Sequence, residues 1–176
     1  MKPILLSTPL LLAAALGACS TLGDFPTERL GQARLSFANG VPAGTAQLLW
    51  DGQAVSLAVA VTGLEGGEHG FHLHQTGKCE APGFTSAGGH LNPQGREHGS
   101  ENPAGKHLGD LPNLKVGSNR SATAEYDIQG SRDEILQAIF DGDGTAVVIH
   151  AGPDDYRSDP AGDAGARIAC GVLQPA

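Results

Sequence analysis

Strict alternation of apolar and polar positions marks the first part of the chain as strand-forming. In the third such run, alternate residues from Val55 to Val61 are apolar, and small or polar residues lie between them. Side chains two apart share a face of a strand, so this period predicts strands with one buried face. Asp51-Gly52 separates the second and third runs and predicts a hairpin turn. The aligned apolar positions are Leu35 and Phe37, then Ala46, Leu48 and Trp50, then Val55, Leu57, Val59 and Val61.

Shorter strand-like runs follow these three. Ser131 and Glu134 have the spacing of a helix capping box ahead of Ile135, so a short helix is expected there. About eight short strands joined by turns predict an all-β fold, an antiparallel sandwich or barrel. Two stretches, 75–106 and 151–166, show no period, and a loop as long as the first is expected only where it is functional or held by something other than packing. The later strands are expected at 68–74, 113–116, 121–126, 145–150 and 167–172.

The N-terminus has the pattern of an export signal. Lys2 precedes a largely apolar run at 4–16, which is too short to span a bilayer. The run ends in Leu16-Gly17-Ala18-Cys19, which resembles the lipobox of bacterial lipoproteins, in which the thiol of the cysteine carries the lipid. An ordinary signal peptide with an incidental cysteine is the alternative. We expect a lipoprotein signal peptide at 1–18, a lipidated tether at 19–30 and one folded domain at 31–176.

The amino-acid composition restricts the classes of partner and the cellular compartment that we expect. A formal net charge of -8 argues against nucleic acid as a partner. The 26 glycines fit many turns between short strands. Three cysteines are an odd number for an exported chain. If Cys19 carries lipid, Cys79 and Cys170 remain as a disulfide pair in an oxidising compartment, with two free buried thiols as the alternative.

Histidines are concentrated between positions 69 and 150, and they predict metal binding. His72 and His74 are two apart on an expected strand, so both side chains emerge on one face. Histidine nitrogens with one carboxylate suit a closed zinc site, and a set of imidazoles suits copper(II). A metal would also order the first long loop. The candidate ligands are His72, His74, His90, His98, His107, Asp110 and His150, whereas His69 is expected on the opposite face in a structural hydrogen bond.

Four segments in order carry a family resemblance. They are His69-Gly70-Phe71-His72-Leu73-His74, Gly89-His90-Leu91-Asn92-Pro93, His107-Leu108-Gly109-Asp110-Leu111-Pro112 and Ala166-Arg167-Ile168-Ala169-Cys170-Gly171-Val172. Together they closely resemble the copper–zinc superoxide dismutases of the bacterial periplasm, over about residues 33–173. The resemblance implies an eight-stranded antiparallel Greek-key sandwich or barrel of immunoglobulin-like type, with two long loops forming the metal site.

The resemblance also implies a role for each matching position. His90 would bridge copper and zinc, which spacing alone does not show. Asp154 matches the carboxylate that hydrogen-bonds one histidine of each metal site, and Arg167 matches the arginine that attracts and orients superoxide. Cys79 and Cys170 match the family disulfide. The implied ligands are His72, His74, His90 and His150 for one copper per subunit, and His90, His98, His107 and Asp110 for one zinc per subunit.

The implied activity is dismutation of superoxide to oxygen and hydrogen peroxide by a copper redox cycle, with zinc as a structural partner. His90 and Arg167 are the expected catalytic residues, His90 by taking up a proton in the reduced half-cycle. Because the chain is acidic, an anionic substrate needs local positive charge. The candidates for that charge are Lys78, Lys106 and Arg157.

Two other hypotheses stay open. A non-enzymatic copper- and zinc-binding envelope lipoprotein would not need Arg167, and a zinc-only structural lipoprotein would leave the copper histidines without a purpose. The expected location is the periplasmic side of a bacterial envelope. Ser20 lacks the aspartate that often retains lipoproteins in the inner membrane, so the outer membrane is expected. A homodimer is compatible with the family, whose bacterial members occur as monomers and dimers.

Overall fold

Strands make up most of the regular structure in residues 27–176, the part of the chain that this computed structural model describes. Each expected strand is present, and so is the short helix. The elements are β1 (Glu28–Phe37), β2 (Pro42–Trp50), β3 (Val55–Thr62), β4 (Gly67–His74), a 3-10 turn (Thr85–Ala87), β5 (Asp110–Val116), β6 (Ser121–Ile128), α1 (Arg132–Ile139), β7 (Ala146–His150), β8 (Arg167–Val172) and β9 (Gln174–Pro175).

The strands form one antiparallel sheet that rolls into a nearly closed barrel. Their order is β5-β4-β7-β8-β1-β2-β3-β6, and β9 pairs with β1. β5 and β6 share no ladder in the described residues, but the Tyr126 hydroxyl on β6 donates to the Asn113 carbonyl on β5 at 3.1 Å. The connections from β3 to β4 and from β6 to β7 each pass over several strands, which gives Greek-key connectivity. The expected all-β antiparallel barrel of eight main strands is confirmed.

The alternating apolar positions of the first three strands face the barrel interior. Leu48 on β2 pairs with Leu57 on β3, and both are fully buried. The carboxylate of Asp51 accepts hydrogen bonds from the amides of Gln53 and Ala54 at 2.7 and 2.8 Å, which fixes the turn between these strands. Period-two patterning and a turn residue together set this register.

The helix begins where the capping box predicts. The Ser131 hydroxyl accepts from the Glu134 amide, and the Glu134 carboxylate accepts from the Ser131 amide at 3.0 Å. These bonds satisfy amides that the helix itself leaves without partners. Ile135 and Ile139 lie four apart on one face and are fully buried against the barrel core.

The folded domain begins earlier than the sequence predicts. β1 starts at Glu28, which pairs with Trp50, so residues 28–30 belong to the barrel and not to a tether. Leu30 is buried, and its carbonyl accepts from the amide of Ala176 at 3.0 Å. Polar residues around Leu30 hide the period, and pairing with β2 and with the C-terminal strand β9 shows the strand. The expected signal peptide and Cys19 lie outside the described residues, and no described helix is long and apolar enough to cross a membrane.

The two long loops are held against the barrel beside β4, β7 and β8. A disulfide joins Cys79 in the first loop to Cys170 on β8, as expected, so these thiols are not free. The amide of Leu91 donates to the carbonyl of Leu73 on β4 at 2.8 Å. In the second loop the carbonyl of Gly152 accepts from a β4 amide at 2.8 Å. The loops therefore lie over the strands that carry the expected metal ligands.

Candidate metal centre

Neighbouring strands bring the first set of histidines together. His72 and His74 alternate with Phe71 and Leu73 along β4, and all of these side chains are buried. His72 pairs with Val148 on β7, and His150 ends that strand. His90 forms an isolated β-bridge with His74, which carries the first loop to the end of β4.

This set has the donor arrangement of a copper site. One ring nitrogen from each of its four histidines lies within 4.8 Å of the others. Among the described residues, these nitrogens are buried and have no hydrogen-bond partner. Leaving a buried polar atom without a partner costs free energy, so this arrangement is expected where a metal completes it. The four atoms are His72 Nδ1, His74 Nε2, His90 Nε2 and His150 Nε2.

The opposite ring nitrogen is anchored in three of these histidines. His72 Nε2 lies 2.8 Å from Asp154 Oδ2, and His74 Nδ1 lies 3.0 Å from the Gly88 carbonyl. His150 Nδ1 lies 3.1 Å from the Gly165 carbonyl. Each partner is an acceptor, so each of these nitrogens donates, and the lone pair is left on the nitrogen that faces the centre.

The second set surrounds one oxygen of Asp110. Asp110 Oδ1 lies 2.8 Å from His90 Nδ1 and 3.1 Å from both His98 Nδ1 and His107 Nδ1. Ligand atoms about 2.0–2.1 Å from a tetrahedral zinc are separated by about 3.3 Å, so these contacts match the edges of such a site. The amide of Gly99 donates to Asp110 Oδ2 at 3.0 Å and orients the carboxylate.

His90 belongs to both sets. Its Nδ1 faces Asp110, and its Nε2 is the nitrogen that joins His72, His74 and His150. Its ring lies 4.0 Å from that of His72, centroid to centroid. Within the described part of the chain no backbone carbonyl holds either nitrogen. The geometry therefore identifies the shared histidine, which spacing could not.

Burial and hydrogen bonding give the two sets different charge states. Burial lowers the pKa of His72 to about 3, that of His74 to about 2 and that of His150 to about 4, so these rings are neutral at pH 7. Burial also acts to lower the pKa of His98, but its contacts with the Asp110 and Asp154 carboxylates outweigh burial and raise that pKa to about 9. Although burial acts to raise them, the pKa values of both carboxyls are held well below the usual range by hydrogen bonds, chiefly from histidines.

Comparison with known proteins agrees with this donor set. The family model described as copper/zinc superoxide dismutase matches residues 43–173. The chain belongs to the copper/zinc superoxide dismutase family. Both metal sites of the family are intact here, because four histidines form the copper set and three histidines with Asp110 form the zinc set.

Three relatives illustrate the likeness. The chain is 41% identical over 155 residues to Cu-Zn superoxide dismutase 2 of Aquifex aeolicus, with 86% of this chain and 90% of that protein covered. The crystal structure of a SOD-like protein from Bacillus subtilis is 37% identical, with a TM-score of 0.75, and covers 81% of this chain and 97% of that one. The Cu/Zn superoxide dismutase from Brucella abortus is 26% identical, with a TM-score of 0.65, and covers 84% and 99%.

The arginine expected beside copper is fixed by two backbone carbonyls. Arg167 begins β8, and its Nη1 and Nη2 donate to the carbonyls of Phe84 and Gly88 at 2.8 and 2.7 Å. The Gly88 carbonyl also accepts from His74 Nδ1 at 3.0 Å, which places the guanidinium beside the copper histidines. Arg167 is partly exposed.

The structure also places the other predicted residues. His69 is buried, and its ring nitrogens lie 2.8 and 3.0 Å from the carbonyls of His150 and Glu65, so the expected structural role is confirmed. Arg157 forms an ion pair with Glu101, and Lys106 donates to the carbonyl of Asp110. Those two cations are therefore occupied in local contacts.

Lys78, the third candidate for attracting an anionic substrate, has an exposed side chain.

Two kinds of group that support the centre were not predicted from the sequence. The carbonyls of Gly88 and Gly165 orient copper ligands, but a backbone acceptor leaves no mark in a sequence. Asn113 is a buried amide between the buried residues Leu111 and Leu114. A polar residue among apolar neighbours on a strand was the available signal for Asn113.

Proposed function

We propose that the chain dismutates superoxide, converting two superoxide anions and two protons to oxygen and hydrogen peroxide. The observation that carries this proposal is the four-histidine copper set, which shares His90 with the zinc set and in which His74 shares the Gly88 carbonyl with Arg167. When bound, copper supplies the one-electron oxidation and reduction, and zinc, which has no redox chemistry, supplies structure and charge.

Arg167 attracts and orients the anion. A guanidinium has five N–H donors, and two of them are used on the Phe84 and Gly88 carbonyls. The remaining donors are free to bind a small anion in an orientation that the two carbonyls fix. Because the guanidinium stays cationic at every relevant pH, this attraction persists across the working range.

His90 holds a proton in one half of the cycle. Its Nε2 is the copper-side nitrogen of the only ring in the described residues that contributes to both sets. Its Nδ1 is fixed toward Asp110 at 2.8 Å, so the ring stays in place when Nε2 becomes protonated. The proton on Nε2 then supplies one of the two protons that the peroxide product needs.

A comparison of wild type with the His72→Ala variant tests this proposal. Each protein is loaded with copper and zinc, and the rate of superoxide loss is measured. We expect activity in wild type and its loss in the variant, because the variant removes one of four copper ligands. If wild-type protein with a full complement of copper showed no activity, that result would contradict the proposed enzymatic function and favour a metal-binding lipoprotein. Electron paramagnetic resonance without nitrogen-ligated copper(II) would favour the zinc-only alternative.

We also propose that the enzyme is anchored by lipid on Cys19, on the periplasmic side of a bacterial envelope, where it intercepts superoxide that arrives from outside. The apolar run at 4–16 and the Leu16-Gly17-Ala18-Cys19 segment support this location. The folded barrel begins at Glu28, so only residues 20–27 would separate the lipid from the domain. Fractionation of cells that express wild type or Cys19→Ala tests the anchor. A Cys19→Ala protein that remains in the membrane fraction would exclude it.

A further inference from the structure

Asn113 is a buried side chain that joins β5 to the second long loop. Its Nδ2 donates to the carbonyl of Asp154 at 2.9 Å, and its Oδ1 accepts from the amide of the same residue at 2.8 Å. Only 4% of Asn113 is exposed. The side-chain amide thus meets both main-chain groups of one residue, as a neighbouring strand would. A carboxylate, which has no donor, could make only one of these bonds.

Asp154 depends on this contact because it lies outside the strands, in the loop after β7. Its two carboxylate oxygens lie 2.8 Å from His72 Nε2 and 3.0 Å from His98 Nε2, so it orients one histidine of each metal site. No strand ladder fixes its backbone in the described residues. A small rotation of that backbone would move both oxygens away from the rings.

Two neighbours complete the support for Asp154. The amide of Tyr156 donates to Asp154 Oδ1 at 2.6 Å, and the Tyr156 hydroxyl accepts from the Asn113 amide at 2.9 Å. Gly162 packs against the other side of the carboxylate, where a Cβ atom would collide with Asp154 Oδ1 and with His98 Nε2. The Asp154 carboxylate is therefore confined to one position by the Tyr156 amide and by close packing of Gly162.

We propose that Asn113 is a positioning residue for the zinc site, acting through Asp154. Asp110, which supplies the zinc carboxylate, lies three residues earlier on the same strand. β5 would then place both the carboxylate that binds zinc and the carboxylate that orients His98. This inference depends on zinc binding and not on dismutation. It can fail while the proposed activity stands, and the proposed activity can fail while this inference stands.

Zinc release from the copper- and zinc-loaded protein tests the inference. Asn113→Asp keeps the size and the acceptor, loses the donor, and sets a negative charge against the Asp154 carbonyl. Asn39→Asp is the matched control, because it makes the same change in an exposed turn where only Oδ1 is used, as an acceptor from Val41 at 3.0 Å. We expect zinc to leave Asn113→Asp about tenfold faster than wild type in the presence of a chelator, and Asn39→Asp to match wild type.

A double-mutant cycle separates positioning from general destabilisation. If Asn113 acts through Asp154, Asn113→Asp should not accelerate zinc release further in an Asp154→Asn background. Additive effects of the two substitutions would overturn the inference, and so would zinc release from Asn113→Asp at the wild-type rate.

Should Asn113→Asp fail to fold, wild type itself provides the test. The side-chain amide protons of Asn113 should exchange slowly in the zinc-loaded protein, and fast exchange would overturn the inference.

Discussion

His74 and Arg167 donate hydrogen bonds to the same oxygen, the carbonyl of Gly88, at 3.0 and 2.7 Å. Gly88 has a φ of 73°, in the region that favours glycine, and a Cβ atom there would lie 2.9 Å from the side chain of Gln75. One loop peptide therefore positions both a copper ligand and the arginine that we propose orients superoxide. The orientation of the arginine, and not only its charge, should matter for activity.

Arg167→Lys tests that consequence. A lysine keeps the charge but is a point donor without the planar fork that meets the Phe84 and Gly88 carbonyls together. We expect kcat/KM for superoxide to fall in Arg167→Lys and to fall further, by about tenfold or more, in Arg167→Gln, because electrostatic attraction is worth about 10–10³ in association rate. A lysine variant with wild-type kcat/KM would show that charge alone is enough.

Replacing His90 should disturb both metals, whereas replacing His74 should disturb one. His90 is the shared ligand, and His74 belongs only to the copper set. We expect His90→Ala to weaken both copper and zinc binding, and His74→Ala to weaken copper binding while zinc remains stoichiometric. Metal content after dialysis against a weak chelator measures this. Full zinc retention in His90→Ala would contradict a shared ligand.

Zinc and copper should differ in the protons that they displace from the metal-free protein. His98 has a pKa raised to about 9, so it is protonated at pH 7 and must lose a proton before Nδ1 can bind zinc. His72, His74 and His150 have pKa values lowered to about 3, 2 and 4, so they are already neutral at that pH. Zinc affinity should therefore rise with pH up to about 9.

Proton release in unbuffered solution at pH 7 measures this difference. We expect His98 to contribute one proton for each zinc bound, and the copper histidines 72, 74 and 150 to contribute none. Zinc binding without any proton release would contradict the assigned charge of His98.

The helix cap offers a stability prediction away from the metals. Ser131→Ala removes the hydroxyl that accepts from the Glu134 amide, and it should lower the free energy of unfolding by about 1 kcal/mol. Urea denaturation measures the change. Metal content should remain that of wild type, because the capped helix packs Ile135 and Ile139 against the barrel core and supplies no ligand. A loss of zinc in this variant would show an unexpected link between helix and centre.

Local patterns made much of the fold predictable. The run from Val55 to Val61, the Asp51-Gly52 turn and the Ser131 cap each record a local preference of the chain, and the structure confirms them. The barrel begins at Glu28, before the predicted start of the domain at residue 31, because Glu28 and Arg29 pair with Trp50 and Leu49 on β2, and no neighbouring residue along the chain signals that pairing.

The metal ligands were predictable for a different reason. Two histidines on one strand face, followed by a loop rich in histidine, form a pattern that metal binding accounts for directly. Which histidine is shared, and which groups orient the ligands, depends on contacts such as that of Asn113 with Asp154, 41 residues away. The spacing of residues along the chain does not predict such contacts, so only the family resemblance or the structure shows them.

The decay of superoxide after a short pulse of its generation tests the central claim most directly. Protein loaded with one copper and one zinc should accelerate the decay catalytically, with many superoxide anions lost for each copper, and metal-free protein should not. Electron paramagnetic resonance on the same sample would show copper(II) held by nitrogen ligands. A sample with that copper signal and no acceleration over the spontaneous decay would contradict the account.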